Sequence, residues 1–365
     1  MAQIISDDTR IRACLPTLRY LIEKSASVIL CSHLGRPKGK VVEELRLDAV
    51  ADRLSTLLER HVKKTEDCIG SAVEDAISEL GAGEFLLLEN TRFHPEEKDN
   101  DPEFAKALAC LAEIYVNDAF AVAHRAHAST EGVAHYLPAV AGLLMRREIE
   151  NLSKIIEDPR HPFVVILGGA KVSDKVGVIE KLLETADSFL IGGAMANIFL
   201  TAKNIAVGKS PVEEKGIKVA ERLLGLAKEK ISLPLDCLIV EHEINIDSKQ
   251  KTVSVNEIPP EWIIADIGPK TLDRFKEKLK SAEMVVWNGP VGVFEKEPFS
   301  QGTLQLAHAL AGVDAATIVG GGDTGAAVSK AGVADQLSHL STGGGAFLEF
   351  LEGKELPGIA ALEDN

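Results

Sequence analysis

The sequence predicts an α/β fold in which two doubly wound, Rossmann-like parallel sheets are joined by a hinge helix. A chain of 365 residues exceeds what one hydrophobic core usually serves, so two domains are expected. Short aliphatic runs alternate with amphipathic stretches, which is typical of βαβ units. Aromatic residues make up only 5% of the chain, and this aliphatic bias suits strands that helices cover on both faces.

The short apolar runs are the predicted strands, and amphipathic patterns at Asp48–Leu58 and Asp174–Leu183 predict helices between them. The predicted strands are Val28–Cys31, Phe85–Leu88, Glu113–Val116, Val164–Leu167, Phe189–Ile191, Leu238–Val240, Met284–Trp287 and Thr317–Val319.

A charged, helix-favouring stretch near the middle of the chain predicts the connection between the domains. It runs from Leu144 to Ile156, and the prolines Pro159 and Pro162 follow it. We therefore expect a first domain over residues 1–143, an interdomain helix over 144–159 and a second domain over 160–348. The tail, 349–365, is expected to pack back on the first domain. The alternative is one large sheet with an ordinary crossover helix.

The charge balance limits the partners. With 40 Lys and Arg against 55 Asp and Glu, the net charge is −15, so a nucleic-acid partner is not expected. A small anion would need a local cluster of positive charge. No apolar run approaches the ~20 residues of a membrane span, and no signal-peptide core is recognised at the N-terminus. The five cysteines are scattered and predict reduced thiols in a cytoplasmic protein.

Polar segments follow the predicted strands, where open parallel sheets bind their ligands. In the first half these segments combine Arg and His, and they are Ser32–Arg36, Asn90–His94, Asn117–Phe120 and His124–His127. In the second half they are rich in Gly, and they are Gly168–Lys171, Gly192–Met195, Asn288–Pro290 and Gly320–Thr324. The two halves are therefore expected to bind different ligands.

Arginine is concentrated in the first half, where eleven of the fourteen Arg residues lie at or before Arg147. Arg36, Arg92 and Arg125 each follow a predicted strand and lie near His. The planar guanidinium binds carboxylate and phosphate groups through two parallel hydrogen bonds. We therefore predict an oxyanion site, although a lone surface Arg is usually only solvated.

A glycine-rich turn in the second half predicts phosphate binding. Gly168 and Gly169 follow a buried strand, and glycine lets the backbone approach an anion closely. Lys171 and Lys175 are four residues apart and are expected to share one face of the helix that follows. The alternative is a glycine-rich turn with two solvated lysines.

The segment Gly320–Gly325 matches the pattern G-x-G-x-x-G and raises a second function, that of a nicotinamide-dependent oxidoreductase. The motif follows the last strand rather than opening the first βαβ unit, and glycines, Gly343–Gly345, occupy the position expected for a ribose-binding carboxylate. Asp323 would also repel a pyrophosphate. It is better explained as a Mg²⁺ ligand or as a helix cap.

Taken together, these segments resemble the phosphoglycerate kinase family from end to end. The first-half strings are DDTRIR from Asp7, SHLGRP from Ser32, ENTRF from Glu89 and HRAH from His124. The second-half strings are GGAKVSDK from Gly168, WNGP from Trp287, FE at Phe294, GGGDT from Gly320 and STGGG from Ser341. The resemblance implies a monomeric cytoplasmic enzyme of glycolysis that transfers a phosphoryl group between ATP/ADP and 3-phosphoglycerate/1,3-bisphosphoglycerate with Mg²⁺.

The resemblance also implies residue roles. The substrate site would comprise Arg10, His33, Leu34, Gly35, Arg36, Arg92 and Arg125. The catalytic residues would be Arg10, Lys171, Lys175, Gly322 and Gly345. The nucleotide site would comprise Gly168, Lys171, Lys175, Gly192, Gly193, Asn288, Pro290, Glu295, Gly321, Gly322, Asp323 and Thr324, with Asp323 on Mg²⁺. His94 and His127 are expected to be structural.

Two substitutions and the N-terminus depart from the family pattern. Ala121 replaces a usual Gly, and Ala346-Phe347 replaces a usual Ala-Ser. Family members also carry a first strand ending in Arg-Val-Asp-Phe-Asn, which we do not find ahead of Asp7. We therefore keep a catalytically impaired nucleotide-binding remnant as an alternative, with intact nucleotide binding and a destabilised first domain.

Overall fold

The computed structural model describes residue 5 and residues 7–363, without the side chain of Glu363. The segment ahead of Asp7, where we did not find the family's first strand, lies largely outside these described residues. The chain divides into two compact units, Met1–Glu150 with Glu355–Asn365 and Asn151–Lys354. The division falls inside the helix that we expected to join two domains, and the residues from Glu355 onward group with the first unit.

The first unit alternates strands and helices along its sequence. Its strands are β1 Val28–Leu30, β2 Val62–Lys64, β3 Phe85–Leu87, β4 Tyr115–Asn117 and β5 Ala139–Ala141. Its helices are α1 Thr9–Glu23, α2 Asp48–Leu58, α3 Ser71–Ser78, α4 Glu96–Asp99 and α5 Pro102–Ala109, followed by α6 Leu143–Glu157.

Two parallel sheets form the centre of the first unit, with strand orders β1-β3-β2 and β4-β5. Successive residues of β3 alternate between two cores, because side chains along a strand point to opposite faces. Phe85 and Leu87 pack with α1 and α2 in one core, and Leu86 packs with α5 in the other. Both cores are aliphatic, as the doubly wound prediction requires.

The helix α6 begins where the side chain of Asp118 satisfies its free backbone donors. Asp118 Oδ1 accepts hydrogen bonds from Leu144 N at 2.9 Å and Met145 N at 3.1 Å. The negative charge of a carboxylate at a helix N-terminus also interacts favourably with the helix dipole. The observed helix, Leu143–Glu157, confirms the helix that we predicted from Leu144 to Ile156.

The second unit contains nine strands and seven helices among the described residues. The strands are β6 Phe163–Leu167, β7 Ser188–Ile191, β8 Ile231–Ser232, β9 Asp236–Glu241, β10 Gln250–Ser254, β11 Trp262–Ile267, β12 Met284–Asn288, β13 Ala316–Gly320 and β14 His339–Leu340. The helices are α7 Val176–Leu182, α8 Gly193–Ala202, α9 Glu214–Ala227, α10 Pro269–Lys280, α11 Gln301–Ala311, α12 Gly322–Lys330 and α13 Gly345–Leu351. The last helix of the chain, α14 Pro357–Glu363, returns to the first unit.

A six-stranded parallel sheet, β14-β13-β12-β6-β7-β8, forms the centre of the second unit. Every residue of β6 and β12 is buried, as expected of central strands that helices cover on both faces. Val164, Ile166, Val285 and Trp287 line one of its cores. Each predicted strand of the second half overlaps an observed strand.

A separate antiparallel sheet, β10-β9-β11, was not predicted. The predicted strand Leu238–Val240 lies in β9, the middle strand of this sheet, and not in the parallel sheet. The second unit is therefore not purely doubly wound. No helix in the described part of the chain is long and apolar enough to span a membrane.

Candidate active site

The loop after β1 is held against the turn after β3 by the side chain of Asn90. Its Nδ2 donates to the carbonyls of Leu34 at 2.8 Å and Leu45 at 2.9 Å, and its Oδ1 accepts from Arg92 N at 3.1 Å. Gly35 adopts a φ of +64°, and a Cβ there would lie 2.7 Å from Leu45 Cδ2. The loop that carries His33 and Arg36 therefore has a fixed backbone, and Gly35 is required for it.

Arg92 lies in a 3₁₀ turn, Thr91–Phe93, and its guanidinium is only partly satisfied. The residue is 7% exposed, and Nη1 donates to the Gly35 carbonyl at 3.0 Å. Nε and Nη2 are buried and have no partner among the described residues. A buried donor without a partner costs roughly 1–3 kcal/mol. Such donors are a signature of a site whose anionic ligand would supply the missing acceptors.

The predicted basic residues of the first unit converge on one cluster. Burial lowers the pKa of His33 to about 3, and nearby positive charge contributes after it. The contributing groups are Arg92, His127, Arg10 and Arg125. Burial is the largest cause of the lowered pKa of Arg92, and the positive charges of Arg125 and Arg36 lower it further. The structure thus brings together Arg10, His33, Arg36, Arg92 and Arg125, which we call the basic cluster.

The two other histidines of these segments have different surroundings. His94 Nε2 lies 2.7 Å from Asp67 Oδ1, and its ring stacks on Phe104 with centroids 5.1 Å apart. His127 instead lies next to the basic cluster, where burial lowers its pKa to about 4, with Arg92 and Arg125 contributing next. With such low pKa values His33 and His127 are neutral at pH 7, so the arginines carry the positive charge.

Sequence reasoning missed Glu97, whose carboxylate lies fully buried beside the basic cluster. His127 Nδ1 is 3.6 Å from Glu97 Oε1, and Ser129 hydrogen-bonds both carboxylate oxygens. In the sequence Glu97 stands within a charged run, Glu96-Glu97-Lys98, and such runs are ordinarily solvated.

In the second unit, the glycine-rich segments follow the aligned ends of four neighbouring strands. Leu167 at the end of β6 pairs with Ile191 of β7 and Asn288 of β12, and Asn288 pairs with Gly320 of β13. All four strands are parallel, so the segments that follow them emerge at one edge of the sheet. The predicted Gly168, Gly192, Asn288 and Gly321 are brought together there.

Backbone atoms approach one another closely at this edge. Gly168 N donates to Asn288 O at 3.0 Å, and Gly169 N donates to Pro290 O at 2.9 Å. Gly193 N donates to Val291 O at 2.9 Å. Gly289 has a φ of +94°, and a Cβ there would lie 2.4 Å from the Gly168 carbonyl oxygen. Only glycine permits this spacing, which leaves a backbone surface open to a ligand.

Lys175 is buried at this edge, but it does not lie within a helix. The helix α7 begins at Val176, so Lys171 and Lys175 belong to the preceding turn, and the predicted common helix face is wrong. Lys175 N donates to Val172 O at 2.9 Å, which closes the turn before the helix can start. Lys175 Nζ donates to Gly168 O at 2.5 Å, and burial lowers its pKa to about 8.

Asp323 lies in the first turn of α12, exposed, and close enough to Lys175 to raise its pKa against the effect of burial. Thr324 is buried and its Oγ1 accepts a hydrogen bond from Gly289 N at 2.7 Å. Gly321, with a φ of +100°, precedes the helix, and Gly322 is its first residue. Asp323 belongs to no group of three or more metal-ligating residues in the described part of the chain.

The remaining predicted residues of the second unit differ in burial. Pro290 is buried, whereas Glu295 and Gly345 are exposed, and Gly345 is the first residue of α13. Gly193 lines a narrow cleft together with Ala196, Asn197 and Val291. This cleft lies beside the glycine-rich segments.

A basic cluster in one α/β unit and a glycine-rich sheet edge in the other are the features expected of a protein of phosphoryl-transfer type. The phosphoglycerate kinase family model matches residues 1–354. The phosphoglycerate kinase of Moorella thermoacetica is 58% identical over 363 residues, which cover 99% of this chain and 92% of that protein. That of Herpetosiphon aurantiacus is 54% identical, with coverage of 100% and 93%.

Solved structures agree with these relatives. Phosphoglycerate kinase from Coxiella burnetii superposes with a TM-score of 0.87 at 42% identity, and that from Pyrococcus horikoshii with 0.89 at 36%. Each alignment covers 100% of this chain and 93% of the other. The chain belongs to the phosphoglycerate kinase family, and it is therefore a kinase. This membership favours phosphoryl transfer over the oxidoreductase and over the nucleotide-binding remnant.

Proposed function

We propose that the protein catalyses the reversible transfer of a phosphoryl group from ATP to the carboxylate of 3-phosphoglycerate, giving ADP and 1,3-bisphosphoglycerate. In glycolysis the reverse direction would form ATP. The observation that carries this proposal is the buried, half-satisfied guanidinium of Arg92 within a cluster of arginines on an acidic chain. A coupled assay with ATP, Mg²⁺ and 3-phosphoglycerate tests it. The absence of any turnover above background would refute the proposal.

The acceptor would bind in the first unit. The arginine forks would hold its carboxylate and phosphate groups, with the loop Leu34–Gly35 fixed behind them. The residues proposed for this site are Arg10, His33, Leu34, Gly35, Arg36, Arg92 and Arg125. In the ligand-free site His33 is a neutral imidazole, since its pKa is lowered to about 3. No general acid is required, because the group that leaves in the reverse reaction is a carboxylate.

The nucleotide would bind in the second unit. Backbone N–H groups of Gly168, Gly321 and Gly322 and the side chains of Lys171 and Lys175 would contact its phosphates. Gly192 and Gly193 would face the adenine, Glu295 the ribose, and Asn288, Pro290 and Thr324 would shape the cradle. Gly345 would lie near the transferring group. Such a site works by positioning and by stabilising charge rather than by a nucleophile.

Asp323 is the proposed Mg²⁺ ligand. It is an exposed carboxylate beside the cradle without further protein ligands nearby, and Mg²⁺ is commonly held by one or two carboxylates plus nucleotide phosphates. Bound Mg²⁺ would neutralise charge on the phosphates. We expect Asp323→Asn to weaken Mg·ADP binding on the order of tenfold or more and to leave metal-free ADP binding unchanged. Calorimetry with and without Mg²⁺ measures both, and unchanged Mg·ADP affinity would argue against the metal role.

Lys175 predicts a pH dependence of nucleotide binding. Its pKa is lowered to about 8 in the ligand-free protein, and a bound phosphate would raise it again. Between this pKa and the ordinary value of 10.5, binding therefore takes up a proton, and affinity for ADP falls as pH rises above about 8. Titration calorimetry at pH 8.5 in buffers of different ionisation enthalpy measures this uptake. It should vanish in Lys175→Arg, whose side chain stays charged; equal uptake in that variant would exclude Lys175.

The roles of the two domains, the location of the enzyme and its oligomeric state are proposed on the basis of the same reaction. We propose that residues 1–143 with the tail form the 3-phosphoglycerate domain, that 160–348 form the nucleotide domain and that the enzyme is a cytoplasmic monomer. Sedimentation tests the monomer.

A further inference from the structure

Glu97 is a fully buried carboxylate that no step of the proposed reaction uses. It lies in α4, shortly after the turn that carries Arg92. Its Oε2 accepts a hydrogen bond from Ser129 N at 3.0 Å, and its Oε1 accepts one from Ser129 Oγ at 2.7 Å. Ser129 belongs to the segment that carries Arg125. Glu97 thus joins the two segments that supply these arginines.

The charge of Glu97 acts on the basic cluster without occupying its donors. Glu97 raises the pKa of Arg92, opposing the larger effect of burial and the repulsion from Arg125. Yet Arg92 Nε and Nη2 have no partner in the described structure, so Glu97 does not accept from them. A direct ion pair would have satisfied the guanidinium and blocked it. Here Glu97 balances part of the positive charge of Arg92 from a distance, and the Nε and Nη2 donors of Arg92 stay available to a ligand.

We propose that Glu97 is a built-in counter-charge of the basic cluster, which lowers the affinity of the cluster for the anionic substrate. The inference rests on the proposed acceptor site. A negative charge near the arginines attracts them when the site is empty. The same charge repels a carboxylate or phosphate that binds between them. The attraction between Glu97 and the arginines is therefore partly lost on binding.

The burial of Glu97 supports this role over a purely structural one. Burial raises the pKa of the carboxyl, which shows that the ionised form carries a desolvation cost, while the Ser129 hydrogen bonds lower it. Burying an ion is costly unless nearby charge or hydrogen bonds offset it. Ser129 alone could be bound as well by a neutral amide. The positive charge of Arg92 also lowers the pKa of Glu97 and so offsets part of this cost.

The test is Glu97→Gln, which keeps the shape of the side chain and removes its charge. The amide can still accept from Ser129 N and donate to Ser129 Oγ. We expect the dissociation constant for 3-phosphoglycerate to fall on the order of fivefold. Because burial raises the pKa of this carboxyl, the ligand-free variant should unfold at the same temperature as the wild type or at a higher one. Calorimetry and thermal unfolding at one ionic strength measure the two effects. Unchanged or weaker binding in Glu97→Gln would overturn the proposal.

Two controls separate charge from position. Glu96→Gln removes the same charge from the preceding, exposed position and should alter neither quantity. Ser129→Ala keeps the charge of Glu97 and removes one hydrogen bond, so stability should fall while affinity stays within twofold of the wild type. Tighter binding in Glu96→Gln, or an affinity change in Ser129→Ala equal to that in Glu97→Gln, would show that the charge of Glu97 is not the cause.

The measurements also distinguish failure of the inference from failure of the proposed function. If the wild type does not bind 3-phosphoglycerate, the function is wrong, and inorganic phosphate then serves as the probe of the basic cluster. Should Glu97→Gln be too unstable for calorimetry, the ligand-induced rise in its unfolding midpoint is compared at a fixed ligand concentration. A rise larger than in the wild type supports the counter-charge, and an equal or smaller rise overturns it.

Discussion

Replacing Arg10 by alanine is expected to lower kcat on the order of 10³-fold and to change KM for either substrate only a few-fold. Arg10 lies in the first turn of α1 and forms no hydrogen bond or ion pair among the described residues. It nevertheless lies close enough to His33 to lower its pKa. An unpaired guanidinium beside an oxyanion site can act on charge that develops only as the phosphoryl group moves.

The position of Arg10 is fixed by its neighbour rather than by its own contacts. Asp8 Oδ2 accepts from Arg53 Nε at 2.9 Å and Nη2 at 2.5 Å, which ties the start of α1 to α2. Asp7 Oδ1 accepts from Thr9 N at 2.9 Å. The backbone around Arg10 is therefore held, while its side chain stays free for a ligand.

Steady-state kinetics of the variant against the wild type measure the expected loss. Arg19→Ala is the matched control, since Arg19 lies on the same helix, is exposed, and has no role in the site. Its kcat should stay within twofold of the wild type. If Arg10→Ala raises KM and leaves kcat intact, Arg10 binds the ground state and the proposed catalytic role is wrong.

The sequence predicted seven strands of the parallel sheets, because these strands carry a strong local signal, but it did not predict β2, β5, β8 or β14. The central strands Phe163–Leu167 and Met284–Asn288 are continuous aliphatic runs, and few other structures explain such runs. The antiparallel sheet was missed because β10, Gln250–Ser254, is mostly exposed and polar. Its pairing with β9 is a tertiary contact that no local pattern encodes.

The sequence predicted those residues of the site that directly follow a strand. The rule that ligands bind beyond the carboxyl ends of parallel strands selected Arg92 and Gly168 before any geometry was known. The same rule could not place Glu97, whose burial depends on the segment carrying Ser129 packing over it. The error at Lys171 and Lys175 is similar, since a spacing of four residues indicates a common face only if the helix has already begun.

Gly168→Ala is expected to weaken Mg·ADP binding on the order of 10²-fold and to destabilise the second unit by ~1–3 kcal/mol. A Cβ on Gly168 would lie 2.0 Å from the Pro290 carbonyl oxygen and 2.7 Å from that of Gly289. Both are backbone atoms, so no side-chain rotation relieves the clash. The segments after β6 and β12 would have to separate, and the hydrogen bond from Gly168 N to Asn288 O at 3.0 Å would be strained.

Calorimetry with Mg·ADP measures the effect, and calorimetry with 3-phosphoglycerate is the control, because the proposed acceptor site lies in the other unit. Affinity for 3-phosphoglycerate should be unchanged. Gly225→Ala is the matched substitution, since an added Cβ at this position in α9 meets nothing within 4 Å. It should leave ADP binding intact and stabilise the protein by roughly 0.5–1 kcal/mol. If Gly168→Ala binds Mg·ADP as tightly as the wild type, the close approach of these two backbone segments does not form the nucleotide site.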